Sequence, residues 1–208
     1  MSALGPCQEI INSIWTDENK EDRKAILFTG SVKGEGVSGI TYNLALVMAE
    51  VRAAKVCLID ANFKNPSLHK RLKKENQAGF RDVLTGGCSL SDAIQETEVS
   101  NFDIITNGEV DSAKTANVEP NSVRAIIDKL KTRYDFVILD SSSISQDTTP
   151  LVLAGQVDGV VLVIRAGKTR YEVVQKSKEQ LEFVRAQIFG VVLNRRKYFI
   201  PKFIYRNL

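Results

Sequence analysis

Six short runs of apolar, mostly β-branched residues recur along the chain and predict six strands. Within each run apolar residues follow one another, whereas a strand with one face in water would alternate apolar and polar residues. Such strands are covered on both faces, as in a parallel sheet between two layers of helices. The runs are AILFT (25–29), VCLID (56–60), FDIIT (102–106), FVILD (136–140), VVLVI (160–164) and FGVVL (189–193).

The segments between these runs place apolar residues at helical spacing, and the loops contain residues that end helices and strands. Because helices alternate with strands, the pattern predicts a three-layer α/β fold with a mostly parallel central sheet flanked by helices. The predicted helical segments are 40–52, 89–96, 121–132 and 170–185. The loop breakers are Asn65-Pro66, Gly86-Gly87 and Glu119-Pro120.

The composition is that of an ordinary globular protein. The 208 residues are 43% hydrophobic without a break that would divide them, so we expect one domain over 1–208. A formal charge of +3, from 28 basic and 25 acidic residues, gives no reason to expect a nucleic-acid partner. The sequence shows no membrane span and no signal peptide. We expect the scattered cysteines Cys7, Cys57 and Cys88 to be buried reduced thiols of a cytoplasmic protein.

A glycine-rich stretch, TGSVKGEGVSGIT at 29–41, joins the first predicted strand to the first predicted helix. Backbone amides in such a turn, and at the start of the following helix, can bind a phosphate. A phosphate loop also uses a lysine for the outer phosphates and a Ser or Thr for magnesium. Ser38 is present, but Val37 stands where the lysine is expected. By itself, the turn is also compatible with a purely structural role.

Two aspartates favour a functional site over a structural turn. Asp60 ends the second predicted strand and Asp140 the fourth, each after four apolar residues, where a buried charge is costly without a metal or a hydrogen-bond donor. The carboxyl ends of parallel strands meet at one edge of a sheet. We therefore expect the segments Gly30–Ser38, Asp60–Lys64 and Asp140–Ser143 to converge there.

Several stretches together resemble one known family over residues 8–196. They are ILFTGSVKGEGVS, VCLIDANFKNPSLHKRL, GFRDVLTGGCSLSDAI, FVILDSSS, VDGVVLVIRAGKTR and GVVLNR. In order and spacing they resemble the cytoplasmic domain of the bacterial tyrosine autokinases, or BY-kinases, of capsule and exopolysaccharide export. These belong to the deviant-Walker P-loop ATPases. The resemblance implies a P-loop fold, MgATP binding, phosphorylation of a C-terminal tyrosine cluster in a neighbouring subunit, and a membrane partner that controls polysaccharide chain length.

The resemblance assigns a role to several positions. The phosphate loop would consist of Gly34, Glu35, Gly36, Val37, Ser38 and Gly39, and Asn194 would lie near the adenine base. Asp60 and Asp140 would be the acids of the second and third Walker-type motifs. Together with Ser38 they would hold Mg²⁺, and they would take part in catalysis if the protein is active.

This sequence departs from the family pattern at the same places. Val37 replaces the loop lysine, Gly39 a Ser or Thr, Asn62 an aspartate, Lys64 an arginine and Ser142-Ser143 two prolines. A glutamate followed at three-residue intervals by two arginines, which serves oligomerisation in the family, appears as Glu9, Asn12 and Trp15. These losses remove charge from the chemistry of the site, and they leave the assembly of a homo-oligomer open.

Lys33 is the candidate for a compensating charge. The alignment places the family's signature lysine at Val32, so Lys33 is either a solvated loop residue or a cation that swings onto the phosphates. We expect His69, the single histidine, to pack or lie on a helix surface. Ser141–Ser143 lacks the elbow motif of a hydrolase nucleophile.

The C-terminal segment is basic and aromatic. From Arg195 onward it has five cations and no acid, and within 197–208 the tail carries the aromatic residues Tyr198, Phe199, Phe203 and Tyr205. Such a segment suits an anionic membrane surface or an acidic groove on a membrane partner. The alternative is a final segment packed on the domain with solvated charges.

Two functional hypotheses remain. The first is a catalytically impaired BY-kinase-like module that docks to the polysaccharide export machinery, or to an active relative, at the inner face of the membrane. The second is an atypical ATPase or tyrosine autokinase in which Lys33 or a neighbouring subunit supplies the missing charge. We expect weak binding of MgATP or MgADP, or none, because an isopropyl group replaces an ammonium beside the phosphates.

Overall fold

Seven strands form one sheet in the computed structural model, which describes residues 24–76, 78–108 and 118–196. Their order is β3-β4-β2-β5-β1-β6-β7, and every neighbouring pair is parallel except β3 with β4. The strands are β1 Lys24–Gly30, β2 Val56–Ala61, β3 Ile94–Glu96, β4 Phe102–Ile105, β5 Phe136–Ser143, β6 Gly159–Arg165 and β7 Ile188–Asn194. All six predicted strands are confirmed.

The prediction of a helix over 89–96 was wrong at its carboxyl end. The helix ends at Ala93, and Ile94–Glu96 turns into the edge strand β3, antiparallel to β4. The Ser89 side chain accepts a hydrogen bond from the Asp92 amide at 3.2 Å and so caps a single turn. Eight residues are too few for periodicity to separate a helix from a strand, and pairing with β4 decides the outcome.

Helices cover both faces of the sheet, as a buried parallel sheet requires. The helices are α1 Val37–Arg52, α2 Leu68–Leu72, α3 Phe80–Leu84, α4 Leu90–Ala93, α5 Pro120–Lys131, α6 Thr149–Ala154 and α7 Tyr171–Phe183. The apolar residues of α1 pack on one face, and those of α5, α6 and α7 pack on the other. The three-layer α/β fold of the P-loop type, with a mostly parallel central sheet, is confirmed.

Side chains of β1 point alternately to the two faces of the sheet, so one continuous apolar run contributes to the apolar core on each face. Ile26 and Phe28 point to the α1 side, whereas Ala25 and Leu27 point to the side of α5, α6 and α7. Strand β5, at the centre, is buried along its whole length. Its register with β2 places Asp140 directly beside Asp60. This register brings two buried acids to the carboxyl edge of the sheet.

The cysteine prediction holds for one of the two described thiols. Cys57 is buried and free, and burial raises the pKa of its thiol. Cys88 is only partly buried, so the prediction of a buried thiol was wrong there. Cys88 lies in the connection between α3 and α4, outside both helices. Cys7 lies outside the described residues.

None of the helices in the described part of the chain combines the length and the apolar character that a bilayer requires.

Candidate functional site

A cavity of about 490 Å³ opens at the carboxyl edge of the sheet. Its walls include the loop 32–40 after β1, Asn62 after β2 and Ser141–Ser143 at the end of β5. The segments predicted to converge therefore lie around one opening, as in other parallel α/β sheets. A second cavity, of about 780 Å³, lies at the opposite edge beside Tyr134 and Asp135 and holds none of the predicted site residues.

The glycine-rich loop has the backbone shape of an anion cradle. Gly34 has φ +88° and Gly36 has φ +92°, left-handed values that favour glycine. Helix α1 begins directly after Gly36, whose carbonyl accepts the amides of Gly39 and Ile40 at 3.2 Å. The amides at the first positions of a helix have no intrahelical partner, and the helix dipole favours an anion there. The loop can therefore bind phosphate through its backbone.

A buried carboxylate, that of Glu35, holds this loop together. Its side chain is 1% exposed and accepts hydrogen bonds from the Val32 amide at 2.9 Å and the Thr169 hydroxyl at 2.6 Å. The Arg165 amide lies 3.4 Å from the same carboxylate. A methyl group on Gly30 would lie 2.6 Å from Glu35 Oε2, so the carboxylate fills the space that glycine leaves. Glu35 thus ties the loop to the segment after β6.

Val37, at the lysine position, faces the core. Its side chain is 9% exposed and belongs to the apolar cluster on the α1 side of the sheet. Its Cγ2 atom would lie 3.3 Å from a methyl group on Gly30. The loop therefore offers amides to an anion, but the side chain at this position contributes packing and no charge.

Asn194 clamps the outside of the loop. Its Nδ2 donates to the Glu35 carbonyl at 2.8 Å, and its Oδ1 accepts the Arg195 amide at 2.8 Å. A side chain on Gly36 would collide with the Asn194 amide. The residue lines the cavity, and both polar groups of its side chain already have hydrogen-bond partners within the chain.

Asp60 organises the segment that follows β2. It is fully buried, and its carboxylate accepts the amides of Ser67 and Leu68 at 3.0 Å and of Asn62 at 3.2 Å. Burial raises the pKa of Asp60, and the three amides oppose that shift. These bonds fix the start of α2 to the end of β2.

Asp140 lies beside Asp60 with a different environment. It is fully buried, and neither carboxylate oxygen has a hydrogen-bond partner among the described residues. Burial, and next the neighbouring Asp60 carboxylate, raise the pKa of Asp140 well above its ordinary value. The Ser38 and Thr41 hydroxyls are near enough to lower the pKa without completing a hydrogen bond. An unpartnered buried carboxylate at this place is suited to a cation.

The donor set fits Mg²⁺ bound together with a phosphate. A carboxylate with two unused oxygens and the Ser38 hydroxyl are hard oxygen ligands, which Mg²⁺ prefers. Within the described residues no three His, Cys, Asp or Glu side chains cluster to hold a metal. Mg²⁺ commonly keeps several waters and uses one or two carboxylates plus substrate phosphates.

The other departures from the family pattern are built into local structure. Asn62 lines the cavity and accepts the Asn65 amide at 3.0 Å, so it shapes its own turn. The Ser142 and Ser143 hydroxyls donate to Asp147 and Gln146, both at 2.9 Å. These polar side chains replace rigid prolines by hydrogen bonds within the loop.

Two further departures from the family pattern, Gly39 and Lys64, lie in different positions relative to the cavity. Gly39 lines the cavity without a side chain to offer, whereas Lys64 is exposed and lies outside the cavity wall.

Three cations line the cavity: Lys33, Arg71 and Arg195. All three are exposed, and within the described part of the chain none forms a salt bridge. Lys33 was singled out from the sequence, whereas Arg71 and Arg195 were not. Arg71 lies 34 positions after Val37 in the numbering, and no spacing rule in the sequence connects the two. Only the packing of α2 beside α1 brings Arg71 to the cavity.

The remaining expectations have separate outcomes. His69 lies on α2 and is partly buried, with Nδ1 unpartnered among the described residues. Ser141 donates to the Phe28 carbonyl at 2.9 Å, a structural bond between β5 and β1. The oligomerisation positions Glu9, Asn12 and Trp15, and the tail 197–208, lie outside the described residues.

Comparison with known proteins gives consistent matches. A family model described as an AAA domain matches residues 24–188. The tyrosine-protein kinase YwqD of Bacillus subtilis (strain 168) is 31% identical over 174 residues, which cover 84% of this chain and 73% of that protein. The VpsO kinase domain superposes with a TM-score of 0.75 at 28% identity, covering 91% of this chain and 97% of that one.

One more solved structure shares the fold. The septum site-determining protein MinD of Pyrococcus horikoshii, complexed with Mg-ADP, has a TM-score of 0.72 at 23% identity, covering 88% of this chain and 76% of that one. Sequence similarity to a tyrosine kinase over most of the chain, on this fold, shows that the protein belongs to the BY-kinase-like family of P-loop proteins.

Proposed function

We propose that the protein is a catalytically impaired BY-kinase-like module that binds rather than phosphorylates, and that it serves exopolysaccharide or capsule production. One observation carries the proposal: the lysine position of the phosphate loop is filled by Val37, a core residue that is 9% exposed. A preorganised positive charge on the transferring phosphoryl group typically contributes a rate factor of about 100 to 1,000. Without that charge in the loop, slow or absent turnover follows.

The proposed ligand is MgATP or MgADP, held weakly. The loop amides from Gly34 to Gly39 would receive the phosphates, and Asn194 lies at the end proposed for the base. Ser38 and Asp140 would hold Mg²⁺, and Asp60 would keep the neighbouring segment in place. Bound Mg²⁺ would neutralise phosphate charge, which is the chemistry it supplies in such sites. The Mg-ADP complex of MinD, on the same fold, supports this choice of ligand.

The unpartnered carboxylate of Asp140 favours a second candidate, an atypical ATPase or tyrosine autokinase. A buried charge without a partner costs free energy, so its presence supports a retained cation site. In this candidate Asp140 and Asp60 take catalytic roles, and Lys33, Arg71, or a cation from another subunit acts on the phosphates. The two candidates differ in turnover, not in the location of the site.

Turnover therefore tests the proposal. With purified full-length protein, MgATP labelled in the γ-phosphate should give no tyrosine labelling and no hydrolysis beyond that of an Asp140→Asn sample purified identically. Labelling that is rapid in the natural protein and lost in Asp140→Asn would reject the binding-module proposal and establish the atypical kinase.

Val37→Lys tests whether the cradle is otherwise intact. We expect this variant to bind MgATP about 10- to 100-fold more tightly than the natural protein, because one charged hydrogen bond to phosphate contributes about 1.5 to 3 kcal/mol. Val37→Met is the matched control, since it has a similar length and no charge. Equal affinities of the two variants would show that the loop no longer accepts a triphosphate.

The partner and the place of action are also proposals. A chain-length or export protein of the membrane, or an active relative, would receive the module at the inner membrane face, as the family resemblance implies. The tail 197–208 would add attraction to anionic lipid, with about 1 kcal/mol for each basic residue near the surface. A vesicle flotation assay tests this: equal recovery of the full chain and of a chain ending at Arg196 would reject a role for the tail.

A further inference from the structure

We infer that Arg71 supplies the positive charge that the phosphate loop has lost, and that it recognises the outer phosphates of a nucleotide lying along the loop. The inference rests on the proposed function, because it takes the cavity as the nucleotide site. It assigns specificity to a residue outside the loop and outside the positions that the family resemblance singles out.

The backbone around Arg71 is fixed to the end of β2. Asp60 Oδ2 accepts the Ser67 and Leu68 amides, each at 3.0 Å, and the Arg71 amide donates to the Ser67 carbonyl at 3.3 Å. The short helix α2 therefore begins on a buried anchor, and Arg71 follows one turn later. Leu68, fully buried, holds the other side of the same turn against the core.

The Arg71 guanidinium lies beside the amino end of α1. Its Cζ atom is 5.2 Å from the centre of the Tyr42 ring, a cation-π contact that restricts its position. Tyr42 lies one turn after Ser38 on α1. Arg71 lines the same cavity as Ser38 and Gly39. A cation is thus present on the helix side of the place where phosphate would bind.

Position along the sheet separates Arg71 from Arg195. The order β2-β5-β1-β6-β7 puts the β2 segment on one side of the loop and β7 on the other. Arg195 follows Asn194, and its Nε lies 3.8 Å from where a Gly36 methyl group would be. With the base on the Asn194 side, the outer phosphates extend toward Asp140 and Arg71. Lys33 is exposed on the loop itself and forms no salt bridge with the part of the chain that the structure describes.

Arginine is chemically suited to this task. Its planar guanidinium presents parallel N–H donors that match two phosphate oxygens, and it stays charged at any physiological pH. The contact with Tyr42 is made to the aromatic ring, so it uses none of these donors in a hydrogen bond to an oxygen acceptor. Arg71 is exposed, and none of the described residues forms a salt bridge with it that would compete with the ligand.

Calorimetric titration of the full chain with MgATP, MgADP and AMP tests the inference. Arg71→Ala should weaken MgATP binding about tenfold and AMP binding less than twofold, since only the outer phosphates are contacted. Lys70→Ala, an exposed neighbour on α2 that does not line the cavity, should leave all three affinities within twofold. A purely structural role of Arg71 would weaken the three ligands equally.

A rescue variant separates charge from fold. Val37→Lys in the Arg71→Ala background should regain at least the lost tenfold for MgATP, because it restores a cation at the outer phosphates. Equal loss for MgATP and AMP, or no detectable MgATP binding by the natural protein at 5 mM, about fivefold above the upper end of common KM values, would overturn the inference. Turnover of ATP would reject the proposed function, but the affinity differences between the variants would still support the role of Arg71. Failure of the proposed function and failure of this inference therefore give different results.

Discussion

The phosphate loop, residues 30–38, and the segment 60–71 after β2 are organised in the same way, but they differ in the side chain that each places at the position for a cation. Each loop is organised by a buried carboxylate that accepts hydrogen bonds: Glu35 in the first and Asp60 in the second. In the first loop, Val37 occupies the position where a phosphate-binding lysine is expected, and its side chain packs in the core. In the second the anchored turn carries Arg71 to the cavity.

Asp140, between the two segments, shows what the difference means. Glu35 and Asp60 have their hydrogen bonds within the chain, so they serve the fold whether or not a ligand is bound. The carboxylate of Asp140 has no partner among the described residues. A buried acid that is satisfied builds a loop, whereas a buried acid that is unsatisfied raises the free energy of the fold until a cation arrives.

The largest expected effect is on the loop anchor. Glu35→Ala should lower the free energy of unfolding by about 3 kcal/mol, because the Val32 amide and the Thr169 hydroxyl lose a buried charged acceptor. Glu35→Gln, which keeps the shape and one acceptor oxygen, should lose less. Urea unfolding followed by circular dichroism measures both variants.

Glu50→Ala is the control for the loop anchor. Glu50 is exposed on α1, and its loss should change the free energy of unfolding by less than about 0.5 kcal/mol. If Glu35→Ala were as stable as Glu50→Ala, the loop would not depend on its internal carboxylate, and the comparison with Asp60 would fail.

An effect of intermediate size is expected at Asp140, where substitution should raise the free energy of unfolding instead of lowering it. The pKa of Asp140 is raised in the folded state by burial and by Asp60. The free energy of unfolding therefore falls as the pH rises above the unfolded pKa of about 3.9. Asp140→Asn removes that cost and should raise the free energy of unfolding at pH 7 by about 1 to 3 kcal/mol. The gain should disappear below pH 4, where the unfolded carboxyl is also protonated.

Thermal unfolding between pH 3.5 and pH 7.5, without Mg²⁺ or nucleotide, measures this difference. Asp128→Asn, at an exposed position on α5, is the control and should change the free energy of unfolding at pH 7 by less than about 0.5 kcal/mol. A variant Asp140→Asn that is less stable than the natural protein at pH 7 would mean that the carboxylate is satisfied in solution.

The smallest effect is expected at Lys33. Its side chain is exposed on the loop, so Lys33→Ala should weaken MgATP binding by less than about threefold, the range of a solvent-exposed charge contact. The same calorimetric titrations that compare Arg71→Ala provide the measurement. A larger loss at Lys33 than at Arg71 would show that the compensating charge comes from the loop and not from the segment after β2.

Much of the architecture was predictable because local patterns carry it. Six of the strands, and α1, α5 and α7, follow from runs and periods long enough to be specific. The edge strand β3, at three residues, was not predictable, since its identity depends on pairing with Ile104 and Ile105 of β4.

In the candidate site, too, some features follow from local sequence and others depend on tertiary contacts. The sequence by itself determined the P-loop fold, the glycine-rich turn, the two strand-ending aspartates and the absence of the lysine at position 37, because each depends on residues adjacent in the chain. Only the tertiary structure decided that Asp60 is satisfied and Asp140 is not, that Glu35 anchors the loop to Thr169, and that Arg71 lies beside α1. Hydrogen-bond satisfaction and the meeting of charges depend on distances between segments far apart in the chain, and those distances exist only once the core has packed.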